Sequence, residues 1–207
     1  MEKLRIGEYT QKITEHIELP GKISSIAIAQ NGEIYACSEK GLCRYKDGEW
    51  SKLFSDGVFS KVYCDKKGRA FASLDKELYE ITGDGANKVA DFEFPIVDLC
   101  GEEVLYVLTE HSLHIEQEEG FFCLQEMGQD EIALAVQGEK LCVASKTVLQ
   151  RMEGKRRTWR CIFPAYSSMP EININAIAFD KTGFLLVGAE IGVYTAPGGT
   201  YTGNTSD

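Results

Sequence analysis

Four acidic residues occupy the same place in a pattern that recurs along the chain, between one short apolar run and the next. They are Glu39, Asp75, Glu110 and Glu190. If the fold brings these carboxylates to a common opening, they are suited to bind a cation or a hydroxyl-rich ligand. Two of them held about 5–10 Å apart would be able to act as acid and base in the cleavage of a sugar or a lactone. Solvated turns have the same composition, and the sequence taken alone favours that interpretation.

A second group of candidate residues lies at residues 164–175, the longest stretch that departs from the recurring pattern. Long loops on compact folds are often functional. Two side chains in this stretch offer apolar contact and three offer hydrogen bonds: Tyr166, Met169, Glu171, Asn173 and Asn175. These five residues and the four acids are therefore the candidates for contact with a ligand or a partner.

The other residues with metal-binding or nucleophilic chemistry lack the spacing that such sites require. His111 and His114 are three apart, which places their rings on opposite faces of a strand. The acidic run at residues 116–119 lacks the spacing of a calcium loop. The seven cysteines include no Cys-x-x-Cys pair and lie mostly inside apolar runs, as reduced core thiols do. The sequence therefore predicts no catalytic residue, no metal and no cofactor.

Charge and hydropathy narrow the classes of partner. The formal net charge is −10, whereas a nucleic-acid-binding surface needs clustered Lys and Arg. The basic run at residues 155–160 is better explained as a solvated outer strand and its turn. No apolar run approaches the roughly 18 residues of a membrane-spanning helix, and the first residues contain no hydrophobic signal region. We expect no nucleic acid and no membrane. If residue 1 is the native start, we expect a cytoplasmic protein that is a monomer or a domain of a larger chain.

The elements that must position these residues form a repeat with five units. Each unit contains an apolar strand, a polar turn with glycine, a second apolar strand, another turn, and a third strand. The turn glycines are 36, 33, 37 and 45 residues apart: Gly32, Gly68, Gly101, Gly138 and Gly183. This period is typical of four-stranded propeller blades, which contain about 40 residues. Alternating polar and apolar residues predict a fourth, outer strand in the first four units.

The sequence thus predicts one all-β domain, residues 1–207, folded as a five-bladed β-propeller of four-stranded antiparallel blades. The predicted blades are residues 22–57, 58–93, 94–130, 131–171 and 172–207. The last unit lacks an obvious outer strand, whereas residues 8–19 form an unassigned strand before the first unit. Pairing this N-terminal strand with blade five would close the ring and remove an exposed edge.

Two of the units resemble the propeller repeats of two-component regulator sensors. The likeness lies in residues 175–194, which contain an Asp-x-x-Gly turn and end in Gly192-Val193-Tyr194. It also lies in residues 26–45, which end in Gly41-Leu42-Cys43-Arg44-Tyr45. The resemblance implies the propeller fold. In that family such blades usually form extracytoplasmic sensing domains of much longer proteins.

The function expected from these features is that of a non-catalytic interaction or ligand-binding module. Its ligand would be an unknown protein or a small polar or carbohydrate molecule. The alternative is a propeller hydrolase or lyase that acts on a carbohydrate or lactone through acidic residues at the channel mouth. Fold does not imply function, so the arrangement of the site has to decide between them.

Overall fold

The computed structural model describes residues 17–54, 57–128, 130–153, 158–163, 173–190 and 192–197. Within these ranges the chain forms 19 β-strands in five antiparallel sheets, and no helix. Accordingly, the described residues contain no helix that is long and apolar enough to cross a bilayer.

Each sheet takes its strands in chain order and corresponds to one blade. Blade 1 consists of β1 (Ile23–Ile28), β2 (Ile34–Ser38), β3 (Gly41–Lys46) and β4 (Glu49–Phe54). Blade 2 consists of β5 (Lys61–Cys64), β6 (Ala70–Leu74), β7 (Glu77–Thr82) and β8 (Gly85–Asp91). Blade 3 consists of β9 (Ile96–Gly101), β10 (Leu105–Thr109), β11 (Ser112–Gln117) and β12 (Gly120–Glu126). Blade 4 consists of β13 (Glu131–Gln137), β14 (Lys140–Ser145), β15 (Leu149–Glu153) and β16 (Thr158–Phe163). Blade 5 consists of β17 (Ile174–Phe179), β18 (Phe184–Ala189) and β19 (Gly192–Pro197).

The prediction of an all-β, five-bladed propeller is confirmed. The first strand of each blade lies beside the first strand of the next, from β1 through β5, β9 and β13 to β17. The fifth sheet has three strands among the described residues. The predicted closing strand, residues 8–19, lies mostly outside the described residues, and residues 17–19 belong to no strand.

Glycine recurs in the first turn of the blades for two different reasons. Gly32, Gly68 and Gly183 have φ angles of 86°, 82° and 89°, a region that disfavours side chains with a Cβ. Gly101 instead lies at the end of β9, where a Cβ would collide with the carbonyl oxygen of Val104. The glycine of blade 3 is therefore required by close backbone approach.

The hydrophobic core is divided into four clusters, each lying between two successive blades. In every cluster a Leu from the third strand of one blade occurs with a branched apolar residue from the inner strand of the next. The pairs are Leu42 with Val62, Leu78 with Leu99, Leu113 with Leu134, and Leu149 with Ile177. Each buried side chain of this size stabilises the fold by about 1.5–3 kcal/mol. The blades are thus held together mainly by apolar contact between adjacent sheets.

Hydrogen bonds between the first turns of neighbouring blades reinforce this packing along one rim. The donors and acceptors, in blade order, are Gln30 Nε2 to Lys66 O (2.7 Å), Lys66 Nζ to Glu102 Oε1 (2.5 Å), Gly138 N to Glu102 Oε2 (3.1 Å) and Gln137 Nε2 to Asp180 O (2.8 Å). The series links blades 1 to 5 in succession.

Polar side chains also cover the free edge of the inner strands. The inner strand of a blade has a sheet partner on one side only, so its outward N–H groups need other acceptors. Val62 N donates to Ser25 Oγ at 3.1 Å, and Leu134 N donates to Asp98 Oδ2 at 2.8 Å. Asp98 Oδ1 also lies 3.3 Å from Lys61 Nζ. Burial raises the pKa of Asp98 despite these partners.

All seven cysteines lie in the described parts of the chain, and none of them forms a disulfide. Cys37, Cys43 and Cys142 are buried, whereas Cys123 is exposed on β12. Burial raises the pKa of Cys37 and of Cys142 to about 12, so these thiols are poor nucleophiles and fill the core.

Candidate functional site

The four predicted acids lie at equivalent turns, between the second and third strands of blades 1, 2, 3 and 5. Backbone hydrogen bonds tie three of these turns to the segment that enters the inner strand. They are Glu39 N to Lys22 O (3.1 Å), Glu110 N to Pro95 O (3.1 Å) and Glu190 N to Asn173 O (3.2 Å). In blade 2 the turn accepts the hydrogen bond instead of donating it, because Asp75 O accepts from Ile96 N of blade 3 at 2.8 Å. The backbone of this rim is therefore fixed, and Glu39, Glu110 and Glu190 are exposed on it.

The predicted loop residues are only partly accounted for. Tyr166, Met169 and Glu171 lie outside the described residues. Asn173 and Glu190 are brought together, because Asn173 Nδ2 donates to Glu190 Oε1 at 2.9 Å. Asn175 is exposed on β17, at an irregularity in its pairing with β18.

A cavity of about 430 Å³ opens on the same rim, between blades 3 and 4. We call it the rim cavity. The residues that line it are Val97, Glu110, His111, Asp130 and Glu131. Glu131 Oε2 is buried and makes no hydrogen bond within the described part of the chain. Asp130 has a φ of 92°, which is strained for a residue with a Cβ. The described residues nevertheless contain no group of three or more His, Cys, Asp or Glu placed to hold a metal ion.

The two histidines of blade 3 pack against aromatic side chains. The ring of His111 lies against Phe94, with centroids 4.3 Å apart, and His114 lies against Phe92 at 4.8 Å. His114 Nε2 is 2.7 Å from Ser112 Oγ, and burial lowers the pKa of His114. Both rings are therefore packing partners of phenylalanines close to the start of blade 3.

A larger groove, of about 880 Å³, lies on the opposite rim between blades 2 and 3. Its walls come from the first turns of both blades and from the third and fourth strands of blade 3. The residues that line this blade 2–3 groove are Lys67, Arg69, Glu103, Val104, Ile115, Glu116, Gln117, Glu118, Glu119 and Phe122. The volume falls in the range of about 300–1,000 Å³ that ligand sites occupy.

Arg69 holds the wall of this groove through two carboxylates. Its Nε donates to Oδ2 of the buried Asp65 at 2.7 Å. Its Nη1 and Nη2 both donate to Glu116, the second at 2.8 Å to Oε2, and that oxygen also accepts from Leu105 N at 3.0 Å. The hydrogen bond from Arg69 lowers the pKa of Glu116, and the same bond raises the pKa of Arg69. Arg69 and Glu116 thus neutralise each other in a fixed, two-pronged geometry.

The remaining charge of the groove is negative and lies beside apolar surface. Glu118 and Glu119 are exposed and form no ion pair or hydrogen bond within the described residues. Lys67 Nζ is 4.0 Å from Glu103 Oε2, a distance at which the pair is loose. Phe122 is 42% exposed at the edge of the groove. The groove therefore offers carboxylates and an aromatic face to anything that enters it.

Sequence reasoning missed this groove because its parts are distant in the chain. The acidic run at residues 116–119 is evident in the sequence, but only as a run that lacks the spacing of a calcium loop. Arg69, which lies 47 residues earlier, gave no signal that it meets Glu116. The position of Asp98 was detectable in principle, because it is a charged residue inside an otherwise apolar inner strand.

At the level of sequence the chain matches no protein-family model and no curated protein. Solved structures, in contrast, match it well. The extracellular domain of BT4673 from B. thetaiotaomicron, described as part of a hybrid two component system, is 16% identical with a TM-score of 0.58. That match covers 69% of this chain and 21% of the BT4673 chain, so this chain spans about a fifth of it.

Two other structures illustrate the range of proteins that share the architecture. A catalytically inactive virginiamycin B lyase from Staphylococcus aureus is 14% identical, with a TM-score of 0.64 over 84% of this chain and 66% of the lyase. A chain of the mitotic checkpoint complex is 12% identical, with a TM-score of 0.69 over 96% of this chain and 71% of that one. Identities this low show the fold alone. The chain is thus a β-propeller, similar in fold to sensor, enzyme and assembly proteins alike.

Proposed function

We propose that this propeller is a non-catalytic binding module and that the blade 2–3 groove takes a positively charged peptide segment with apolar side chains. The observation that carries the proposal is the unpaired state of Glu118 and Glu119 beside the apolar wall of the groove. Charge complementarity favours a cationic ligand, since the groove has four carboxylates and two cations, and Arg69 is already committed to Glu116 and Asp65.

The electrostatics of the whole chain act in the same direction. A net charge of −10 attracts cationic partners and repels anionic ones at long range. Within the groove the ion pairs would be largely exposed to water, so each contributes about 0.2–1 kcal/mol. Specificity would come from these pairs, and most of the affinity from apolar contact.

The apolar contact surface is formed by three residues of blade 3. Val104 and Ile115 are half-buried in the wall, and Phe122 presents its ring at the edge. Exposed aromatic residues next to a cavity commonly anchor a bound segment, because they bury a large area at a low cost in conformational entropy. A basic residue next to a Leu or Phe in the ligand would match this arrangement.

Binding of defined peptides tests the proposal. The probe is a fluorescent Lys-Leu-Lys-Leu-Lys peptide, and its matched control is Glu-Leu-Glu-Leu-Glu. We expect the lysine peptide to bind and the glutamate peptide not to bind. The double variant Glu118→Gln, Glu119→Gln should weaken binding by about 2- to 30-fold, and raised salt should weaken it further.

Two control variants show whether the groove is responsible. Phe122→Ala should weaken binding, whereas Val89→Ala, on the outer strand of blade 2 and 44% exposed, should not. Glu190→Gln should also have no effect, because Glu190 lies on the opposite rim. Equal binding of both peptides, or equal losses in Glu190→Gln and the groove variants, would exclude the groove as the site.

The hydrolase or lyase alternative is supported by one feature, the rim cavity. It places Glu110, Asp130, Glu131 and His111 around a single space, and Glu131 Oε2 lacks a donor there. Carboxylates and a histidine of this kind are suited to acid–base chemistry. The test is hydrolysis of simple lactones and aryl glycosides, with Glu131→Gln as the inactive variant. An activity that Glu131→Gln leaves intact would not arise from this cavity.

A further inference from the structure

Blades 1 and 5, the two ends of the series, expose apolar residues at positions whose equivalents in the other blades are buried. In blades 2 to 5, the inner-strand residue that pairs with the middle of the second strand is 4–7% exposed: Val62, Leu99, Leu134 and Ile177. The corresponding residue of blade 1 is Ile26, which pairs with Ala36 and is 53% exposed. Ile28, on the same face of β1, is 69% exposed.

The third strands show the same contrast at the opposite end. In blades 1 to 4, the apolar residue near the start of the third strand is 0–3% exposed: Leu42, Leu78, Leu113 and Leu149. The corresponding residue of blade 5 is Val193, which is 72% exposed. The register supports the equivalence, because Leu42 pairs with Cys37, Leu113 pairs with Leu108, and Val193 pairs with Gly188.

These two positions are the halves of one interface. Leu42 shares a core cluster with Val62, and the same pairing recurs three more times along the chain. The fifth pairing would be Val193 with Ile26, and both of these side chains are open to solvent. Among the described strands, no extensive side-by-side packing joins β17 to β1, in contrast to the other neighbouring inner strands.

We propose that this open seam, defined by Ile26, Ile28 and Val193, is the docking site for a partner polypeptide that supplies a further antiparallel blade. Apolar residues that are exposed in one blade, while the equivalent residues of the other blades are buried, indicate an interaction site. The repeat also indicates which residue types the occupant needs. Its inner strand needs a branched apolar residue to cover Val193, and its third strand needs a Leu to cover Ile26.

The longer propellers that this chain resembles favour a blade over a second copy of the chain as the occupant. The chain superposes on them over 84% and 96% of its length, and the matches cover 66% of the lyase and 71% of the checkpoint-complex chain, so about a third of each lies beyond the match. A third of a chain longer than this one exceeds the roughly 40 residues of one blade. A second copy would bring five blades into a space of that size. It would also leave its own seam open, because head-to-tail contacts of this kind do not close unless the rotation fits.

The first experiment measures whether the seam is open in the isolated chain. Ile26→Ala and Val62→Ala delete the same kind of contact at equivalent positions. We expect Val62→Ala to lower the urea midpoint and Ile26→Ala to leave it unchanged. Equal shifts for the two variants would mean that blade 5 already covers Ile26, which would overturn the proposal.

The second experiment supplies a blade. The probe is a fluorescent polypeptide of residues 58–93 of this chain, since its Val62 and Leu78 occupy the positions that the occupant needs. It does not have to be folded beforehand, because a segment can fold as it docks. We expect saturable binding to the full chain, weakened about tenfold or more by Ile26→Asp or Val193→Asp. Val89→Asp, an exposed position on an outer strand, should leave binding unchanged.

Three results would overturn the inference. The first is the absence of saturable binding, and the second is equal binding of a probe that carries Val62→Asp and Leu78→Asp. The third is self-association in sedimentation that Val193→Asp abolishes, because it would make a second copy the occupant. The seam is independent of the blade 2–3 groove, so the Glu118→Gln, Glu119→Gln chain should bind this probe normally.

Discussion

The interface between blades 2 and 3 and the seam between blades 5 and 1 are built from the same repeat, but their apolar residues have different surroundings. Leu78 of blade 2 is fully buried in a cluster with Leu99 of blade 3. Val193 of blade 5 and Ile26 of blade 1, at the matching positions, are 72% and 53% exposed. Residue type at a repeat position therefore indicates what the position can pack against, whereas burial depends on a neighbour being present.

The largest expected difference between the two regions concerns core truncation. Leu78→Ala should lower the free energy of unfolding by about 2–5 kcal/mol, because it leaves a cavity between two sheets. Val193→Ala should change it by less than about 0.5 kcal/mol, since the side chain is already in water. Urea denaturation of both variants measures the difference. A loss above 2 kcal/mol for Val193→Ala would show that the seam is closed in solution.

The ion pair that seals blades 2 and 3 should add a pH-dependent difference. Arg69 lowers the pKa of Glu116 in the folded state, so its stabilisation is complete above the unfolded pKa of about 4.3 and is lost as pH falls through the folded pKa. Glu116→Gln should therefore destabilise the chain by about 1–3 kcal/mol at pH 7 and by much less at pH 3. Denaturation of both proteins at the two pH values measures this. A gap that stays constant would contradict the assignment.

Asp98 should behave in the opposite sense. Burial raises its pKa in the folded state, so wild-type stability declines as pH rises from below about 3.9 through the folded pKa. Asp98→Asn removes this decline while it keeps an oxygen acceptor for Leu134 N. The variant should gain stability relative to wild type between pH 3 and pH 7. Measured stability curves that run parallel over this interval would refute the expectation.

The smallest expected effect concerns the hydrogen bonds at the inner edge. Ser25→Ala removes the acceptor of Val62 N between blades 1 and 2 and should lower stability by about 0.5–1.5 kcal/mol. Ala176→Ser adds a hydroxyl at the corresponding position of blade 5, where the proposed seam leaves the inner strand uncovered, and should have almost no effect. The pair is compared by thermal unfolding, and a gain from Ala176→Ser would indicate a closed ring.

Much of the fold follows from the sequence because strand repeats are local signals. The spacing of Gly32, Gly68 and Gly183 indicates the turns, and the structure gives all three the positive φ that requires glycine. The apolar runs between these glycines alternate with turn residues over short distances, so the number of blades can be predicted from the sequence. The sequence indicates no outer strand for blade 5, because the residues after Pro197 are polar and rich in glycine.

The site was less predictable, since its parts come from separate blades. The acids Glu39, Asp75, Glu110 and Glu190 were found at equivalent turns, and equivalence in a repeat is visible in one dimension. The blade 2–3 groove was not found, because it depends on Arg69 reaching Glu116 across two sheets. Asp130 and Glu131 are adjacent in the sequence, but the missing hydrogen-bond donor to Glu131 Oε2 is apparent only in three dimensions.

The sequence itself determined the four acids at the turns, the apolar character of the positions that face the next blade, and the number of blades, because each depends on residues close together in the chain. Tertiary structure alone decided which carboxylates are paired and which apolar residues are covered. Glu116 is neutralised and Glu118 is unpaired, although they are two residues apart. Val193 and Leu149 are apolar residues at equivalent positions of the repeat, yet they differ in exposure, because burial depends on the blade that lies opposite.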